Sequence, residues 1–309
     1  MSLLPWEADR PLTLGMARAV VRAAFPAAAA DSLEPLGSGW EFDAFVTPDG
    51  WVFRFPRRSE AEALFERERP VLDLARSVLP RSVAVPRVQV LDHGLPDFPY
   101  RVAAHRLIAG VAADRVEDSL RSVLAATIGA ALSAIHSVPG TVAREAGLVE
   151  LDRDEAGRID WLTRGSAGVR ELSARHAGLD APVRWLARLE DPLRRLDAPL
   201  RMIHQDLSPE HLVADPATGR LAGILDWTDA ILGDPARDFV PLVTLGGWGF
   251  ADEVFEHYAC GVDPGFRERL RFMARLLPLM WLGQAYSRGE EVARHVGWVE
   301  ACFAEESAS

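Results

Sequence analysis

Apolar and polar positions come in short runs in the N-terminal part of the chain and shift to a longer, helical spacing beyond it. Residues 12–30 read as an opening helix that ends in an Ala-rich segment. A strand–turn–strand unit is expected next. Residues 33–36 lead into Gly37-Ser38-Gly39 and then residues 40–46, with Thr47-Pro48-Asp49-Gly50 as a turn. Residues 51–55 (Trp-Val-Phe-Arg-Phe) have the aromatic and β-branched content of a strand. Residues 59–79 predict a helix with Ser59 as its N-cap and Glu60 and Glu62 in the first turn, kinked or divided at Pro70. Residues 88–91 and 100–105 predict two further strands around the loop 93–99.

Ile108-Ala109-Gly110 breaks this pattern, and beyond it the spacing is mostly helical. In 119–136, Leu120, Val123, Leu124, Ile128, Leu132 and Ile135 recur at helical intervals and predict a core-facing stripe. Residues 158–196 predict two or three helices around a Gly-containing break at 165–168, and residues 250–307 predict closing amphipathic helices. The class is therefore α+β, with a small β-rich lobe over 1–107, a hinge at about 105–110, and a larger, mostly helical lobe over 108–309.

Composition narrows the function. A formal net charge of −11 argues against a nucleic-acid or anionic-membrane partner and suits a cationic small substrate. Cys260 and Cys302 form neither a disulfide framework nor a zinc signature and read as buried thiols. The N-terminus lacks the basic and apolar regions of a signal peptide, and the apolar stretch 276–285 is too short to span a bilayer, so a cytoplasmic protein without a membrane partner is expected.

The chemistry concentrates in residues 202–238. Asp206 stands in His204-Gln205-Asp206, His211 follows five residues later, and Asp226 ends the apolar run 221–225. That layout matches a kinase catalytic loop followed by a metal-binding strand end. One carboxylate can orient or deprotonate a hydroxyl. The other, with a second ligand from the loop, can hold Mg²⁺ on nucleotide phosphates. Imidazole is a poor Mg²⁺ ligand, so His211 alternatively orients Asp206 or a metal-bound water. A phosphate-facing cation is expected on a central strand, paired to a helical Glu. Arg54 and Glu68 fit those positions, with Arg in place of the kinase Lys. The turn at Ser38 is a candidate cover for phosphates, though it lacks a full glycine-rich pattern.

These motifs, His204-x-Asp206, His211, Leu225-Asp226-Trp227 and Gly233-Asp234-Pro235-x-x-Asp238, resemble the aminoglycoside phosphotransferase family, whose fold is similar to that of protein kinases. Gln205 stands where the family more often has Gly, and Leu225 where it has Ile. His211 stands where Asn is commoner, a form similar to the 2″-aminoglycoside and macrolide branches. The resemblance implies a two-lobed kinase-like enzyme that moves the γ-phosphoryl of ATP or GTP, with Mg²⁺, to a hydroxyl of a cationic antibiotic. It makes Asp206 catalytic, His211 and Asp226 metal ligands, and the backbone near Arg106 and Ile108 the base-binding hinge. It makes His204 and Asp238 braces of the loop. Asp229, Asp252, Glu253 and Glu256 are candidates to meet substrate ammonium groups, or else are solvated faces and caps. Trp281 is a candidate to stack on a sugar. An aminoglycoside is the first substrate expected. The alternatives are a macrolide, a small alcohol or sugar in a housekeeping kinase, and a kinase-like binding protein without activity.

Overall fold

A computed structural model of the protein describes residues 8–150, 167–188 and 198–304. The chain separates into two compact units, residues 1–77 with 84–109 and residues 78–83 with 110–309.

The first unit opens with helix α1 (Leu14–Ala24), capped by the Thr13 hydroxyl, which accepts the Met16 N–H at 3.2 Å. The helix is shorter than its Ala-rich sequence predicts. Phe25 precedes Pro26, which disfavours helical dihedrals in the residue before it, and Phe25 sits at φ −143°. Strands β1 (Glu34–Ser38), β2 (Phe42–Val46) and β3 (Trp51–Pro56) follow. After helix α2 (Ser59–Val78) come β4 (Gln89–Leu91) and β5 (Val102–Arg106). The strands form one antiparallel sheet of order β1-β2-β3-β5-β4.

The central strand β3 is covered on both faces. Phe53 and Phe55 pack with Val20 and Val21 of α1, and Phe42 and Ala103 pack with Ala61 and Phe65 of α2. Arg54 lies on the α2 side, in register with Ala44 and Ala103. Two methyl-sized neighbours leave its long side chain room to run toward the helix.

Two expectations for α2 change. The helix is continuous through Pro70, and both Pro70 and Glu66, whose carbonyl loses the proline N–H, are exposed residues. Ser59 is the first helical residue and not the cap: its N–H donates to the carboxylate of Asp9 at 3.0 Å.

The second unit contains β6 (Val111–Ala112) and helices α3 (Arg121–His136) and α4 (Gly140–Glu145). A helical stretch over residues 167–173 (α5) and α6 (Asp180–Ala187) follow. Then come β7 (Arg201–Ile203), β8 (Leu212–Ala214), β9 (Leu221–Ile224) and β10 (Ile231–Gly233). Helices α7 (Val240–Glu256), α8 (Phe266–Ser287) and α9 (Ala293–Phe303) close it. α5 and α6 are two of the helices expected within 158–196; residues 167 and 168, part of the expected break, are helical, and residues 158–166 and 189–196 lie outside the described residues.

In α3, Leu124, Ile128, Leu132 and Ile135 are buried as the spacing predicts, but Val123 is exposed. The stretch Asp118–His136 is long and apolar enough, at mean hydropathy 1.2, to cross a membrane by length and composition. Its apolar side instead meets α7. Gly129 makes that approach possible, since a Cβ there would lie 2.5 Å from the Val254 carbonyl. α7 bends at Gly247, whose φ of 77° only glycine adopts readily. Cys302 is buried as expected, whereas Cys260 is half-buried, its Sγ donating to the Ser133 carbonyl at 3.2 Å.

Candidate active site

Strand register assembles the site in the second unit. β8 pairs antiparallel with β9, Leu212 opposite Ile224, and β7 pairs with β10, Ile203 opposite Ile231. His204–Asp206 therefore leave the end of β7, His211 precedes β8, and Asp226 follows β9. Two hydrogen bonds join the loops at Leu225: its N–H donates to the His211 carbonyl at 2.9 Å, and its carbonyl accepts His204 Nε2–H at 2.9 Å.

His204 is wholly buried, and burial lowers its pKa, so it is neutral. With its proton on Nε2, Nδ1 is free to accept the Asp206 N–H at 3.3 Å. Trp227, also wholly buried, packs edge-on to the His204 ring at 4.7 Å and donates Nε1–H to the Ile224 carbonyl at 3.1 Å.

The loop is braced from below by Asp238. Its Oδ2 accepts the His204 N–H at 2.9 Å and its Oδ1 accepts the Gln205 N–H at 2.8 Å. His136 Nε2–H donates to the same Oδ2 at 3.0 Å, and its Nδ1 lies 2.8 Å from the Tyr258 hydroxyl. Burial raises the Tyr258 pKa, so the phenol stays protonated and donates. Burial opposes the charge on Asp238, but these donors outweigh it and lower its pKa. A second brace holds the 3₁₀ turn Pro235–Phe239. The Asp234 carboxylate accepts the Ala236 N–H at 3.0 Å and Arg269 Nε–H at 2.6 Å, and the rest of the buried Arg269 fork grips Asp263 at 2.6 and 2.8 Å. That fork lowers the Asp263 pKa to about 2.

On this frame three titratable side chains meet. Asp206 Oδ2 lies 3.4 Å from His211 Nδ1, and Asp226 Oδ2 lies 3.7 Å from His211 Nε2. The two carboxylates remain 43% and 40% exposed, so a ligand can reach them. Burial raises the Asp206 pKa, His211 opposes that rise, and the Asp226 and Glu210 carboxylates add to it. Burial disfavours charge on His211, yet the Asp206 and Asp226 carboxylates hold its pKa above the ordinary value. His211 Nδ1–H donates to the Asp206 carbonyl at 2.8 Å. Its Nε2 therefore faces the Asp226 carboxylate, two electron-rich groups that need a cation between them, either a proton or a metal. Thr228 Oγ1–H fixes the other Asp226 oxygen at 2.7 Å. Among the described residues no group of three or more His, Cys, Asp or Glu is arranged to hold a metal alone. The Asp226 carboxylate suits Mg²⁺ and the His211 imidazole suits it less, so a Mg²⁺ held here would draw its remaining ligands from phosphates and water.

The chain matches the model of the phosphotransferase enzyme family over residues 32–272. It belongs to that family. The fold is similar to the GDP complex of wild-type aminoglycoside 2′-phosphotransferase-IIIa, with a TM-score of 0.68 and 19% identity, covering 92% of this chain and 96% of that one. It is also similar to macrolide 2′-phosphotransferase MphH from Brachybacterium faecium, with a TM-score of 0.60 and 23% identity, covering 91% and 95%. A stretch of 57 residues is 44% identical to the uncharacterized protein YcbJ of Bacillus subtilis (strain 168) and spans 18% of each chain. The kinase-like α+β fold and the family are those of phosphotransferase enzymes.

In the first unit of this phosphotransferase, Arg54 and Glu68 form a bidentate pair, with Nη1 to Oε1 at 3.2 Å and a closer Nη2–Oε2 contact. Their side chains are 12% and 0% exposed, and the guanidinium also lies over the Phe42 and Phe65 rings. Ser38 is exposed. Its hydroxyl donates to Asp43 at 2.6 Å and accepts from Arg57, which pairs with Asp43 at 3.0 Å. The Arg106 side chain lies over Trp51 and donates to the Asp49 carbonyl at 2.7 Å, while Ile108 is half-buried.

The substrate candidates are scattered. Asp229 reaches solvent, and its pKa is raised by loss of water around the carboxyl and by the Asp206 and Asp226 charges, so it shares their field. Asp252 pairs with Arg267, and Glu253 and Glu256 lie in the C-terminal turns of α7. Trp281 stands edge-on to Trp298 at 6.0 Å. His136, Tyr258 and Arg269 escaped sequence reasoning. Each is an isolated residue with no motif around it, and its partners lie far away along the chain.

Proposed function

We propose that this family member transfers the γ-phosphoryl group of ATP or GTP to a hydroxyl of an aminoglycoside. The reading rests on the convergence of Asp206, His211 and Asp226 at the ends of β7, β8 and β9. Asp206 accepts the hydrogen bond of the acceptor hydroxyl and aims its oxygen at the phosphorus. Phosphoryl transfer is loose, so orientation matters more than strong basicity. Asp226, with His211 beside it, holds Mg²⁺, which supplies charge neutralisation on the phosphates when bound. Arg54, held by Glu68, supplies the phosphate-facing cation, and the Ser38 turn covers the phosphates. The backbone at Arg106 and Ile108 takes the base. In this reading the enzyme works in the cytoplasm, where nucleoside triphosphates are present.

The negative field shared by Asp206, Asp226 and Asp229 favours a cationic acceptor. The edge-on Trp281–Trp298 pair supports the rival reading, a macrolide held by aromatic contact. The test is nucleotide consumption against aminoglycosides, macrolides and small alcohols, with ATP and with GTP. Turnover of aminoglycosides that falls steeply with ionic strength is expected. Turnover of macrolides alone with a flat salt profile replaces the first reading by the second.

A further inference from the structure

One cation ties α9 to the catalytic loop. Arg294 Nη2 lies 3.0 Å from Glu210 Oε2 and 3.6 Å from Asp114 Oδ2. The guanidinium carbon also sits 4.7 Å from the centre of the Trp298 ring. Glu210 belongs to the loop between Asp206 and His211. Asp114 is drawn to the same loop because the Ala113 N–H donates to the Pro209 carbonyl at 3.0 Å. Trp298 is fixed in turn by edge-on contacts with Trp281 at 6.0 Å and His295 at 4.9 Å.

The side chains of Arg294, Glu210 and Asp114 are 48%, 49% and 43% exposed. Ion pairs this exposed hold weakly, because water screens them and long side chains lose freedom in forming them. A competing cation can open this one. The surroundings of the guanidinium, carboxylate oxygens on one side and an indole face on the other, are also what recognises an alkylammonium.

We infer that Arg294 sets the charge selectivity for the acceptor: in the free enzyme its guanidinium fills the place between Glu210, Asp114 and Trp298 that an acceptor ammonium takes. The inference rests on the cationic acceptor proposed above. An acceptor ammonium enters by displacing Arg294, whose charge otherwise repels it, and the repulsion grows with the number of charges the acceptor carries. Arg294 thus restrains polycationic acceptors more than singly charged ones.

The experiment uses the full chain and kanamycin, a polyamine sugar, as the probe. Binding is measured by calorimetry at low and at physiological ionic strength for wild type, Arg294→Gln, Arg294→Lys and Arg294→Gln with Glu210→Gln. At low ionic strength Arg294→Gln binds about two- to five-fold more tightly than wild type, the range an exposed ion pair carries. The gap narrows at physiological salt. Arg294→Lys, which keeps the charge, follows wild type, and adding Glu210→Gln removes the gain. Equal, weaker or undetectable binding by Arg294→Gln overturns the assignment, as does a gain that survives loss of Glu210. If Arg294→Gln does not fold, Glu210→Gln alone decides: it weakens kanamycin binding about two- to five-fold, and unchanged binding overturns the assignment. Phosphoryl transfer read on the same samples tests the functional reading separately. Tighter binding without transfer leaves Arg294 in its role and removes the transferase reading.

Discussion

His136 Nε2 and Asp238 Oδ2 lie 3.0 Å apart with both side chains wholly buried, and the same carboxylate accepts the N–H groups of His204 and Gln205. Three donors thus converge on one carboxylate beneath the loop that carries Asp206. Replacing Asp238 by Asn leaves one oxygen and puts an N–H₂ group against a donor. The imidazole can change tautomer, but a backbone N–H cannot. Asp238→Asn is expected to cost about 1–3 kcal/mol of stability, the cost of one buried donor without a partner. It should also lower kcat while leaving the nucleotide KM close to wild type. Denaturant unfolding and steady-state kinetics check both effects. Unchanged stability means the loop is braced by other contacts.

Asp206→Ala removes the group proposed to orient the acceptor hydroxyl. Turnover should fall about 10²–10⁴-fold, the usual contribution of a positioned base, with nucleotide affinity nearly unchanged. A variant that keeps more than a tenth of wild-type kcat removes Asp206 from the reaction.

Arg54→Ala leaves Glu68 buried without its cation, so a stability loss of about 3–5 kcal/mol accompanies any kinetic effect. Arg54→Lys keeps the charge and gives up the planar fork. The nucleotide KM is expected to rise in both variants, more in Arg54→Ala. Thermal midpoints recorded beside the kinetics separate unfolding from loss of the phosphate cation. Wild-type nucleotide KM in a folded Arg54→Ala protein excludes the proposed role.

The meeting of Asp206, His211 and Asp226 was legible because their motifs are local. Asp206, His211 and Asp226 fall within residues 206–226, and the strands that join them are short and adjacent in sequence. The Arg54–Glu68 pair was legible for a similar reason, 14 residues apart on a strand and the next helix. His204 and Asp238 were expected as braces from the family resemblance, but their distant partners and the other supports were not legible. His136 reaches Asp238 across 102 residues and Arg294 reaches Glu210 across 84, and nothing near either residue marks it. Capping failed in the same way: Ser59 in front of an acidic turn reads as an N-cap, but a carboxylate 50 residues earlier caps the helix. Val123 misled because helical spacing gives a stripe wider than the face that α7 covers.

Gln205 holds φ 73°, a left-handed conformation that side chains with a Cβ adopt at a cost, and its Oε1 is buried without a partner among the described residues. Gly at this position removes both penalties, offset in part by the larger freedom of Gly in the unfolded chain. Gln205→Gly is expected to stabilise the protein by about 1 kcal/mol. A β-branched Val at the same place should destabilise it by more. Paired chemical denaturation of the two variants is the check, and a Gly variant less stable than wild type means the Gln205 side chain makes a contact that outweighs the strain.

His105 provides a stability change with a defined pH window. Burial lowers its pKa from 6.5 to about 4. The hydrogen bond it donates to the Arg106 carbonyl at 2.9 Å opposes that fall, and the Arg54 charge adds to it. Above pH 6.5 the ring is neutral in both folded and unfolded chains, and its contribution to stability is fully present. Between pH 6.5 and about 4 the unfolded chain binds the proton and the folded chain does not, so stability falls as pH falls. Below about 4 both states are protonated and the contribution is gone. At about 1.4 kcal/mol per pKa unit the full loss is about 3 kcal/mol. Other groups titrate in the same range, so the comparison is between wild type and His105→Gln, whose amide can still donate to the Arg106 carbonyl. Unfolding free energies measured at pH 7, 6, 5 and 4 should fall more steeply for wild type than for the variant. Parallel profiles would mean that His105 is protonated as readily in the folded protein as in the unfolded chain.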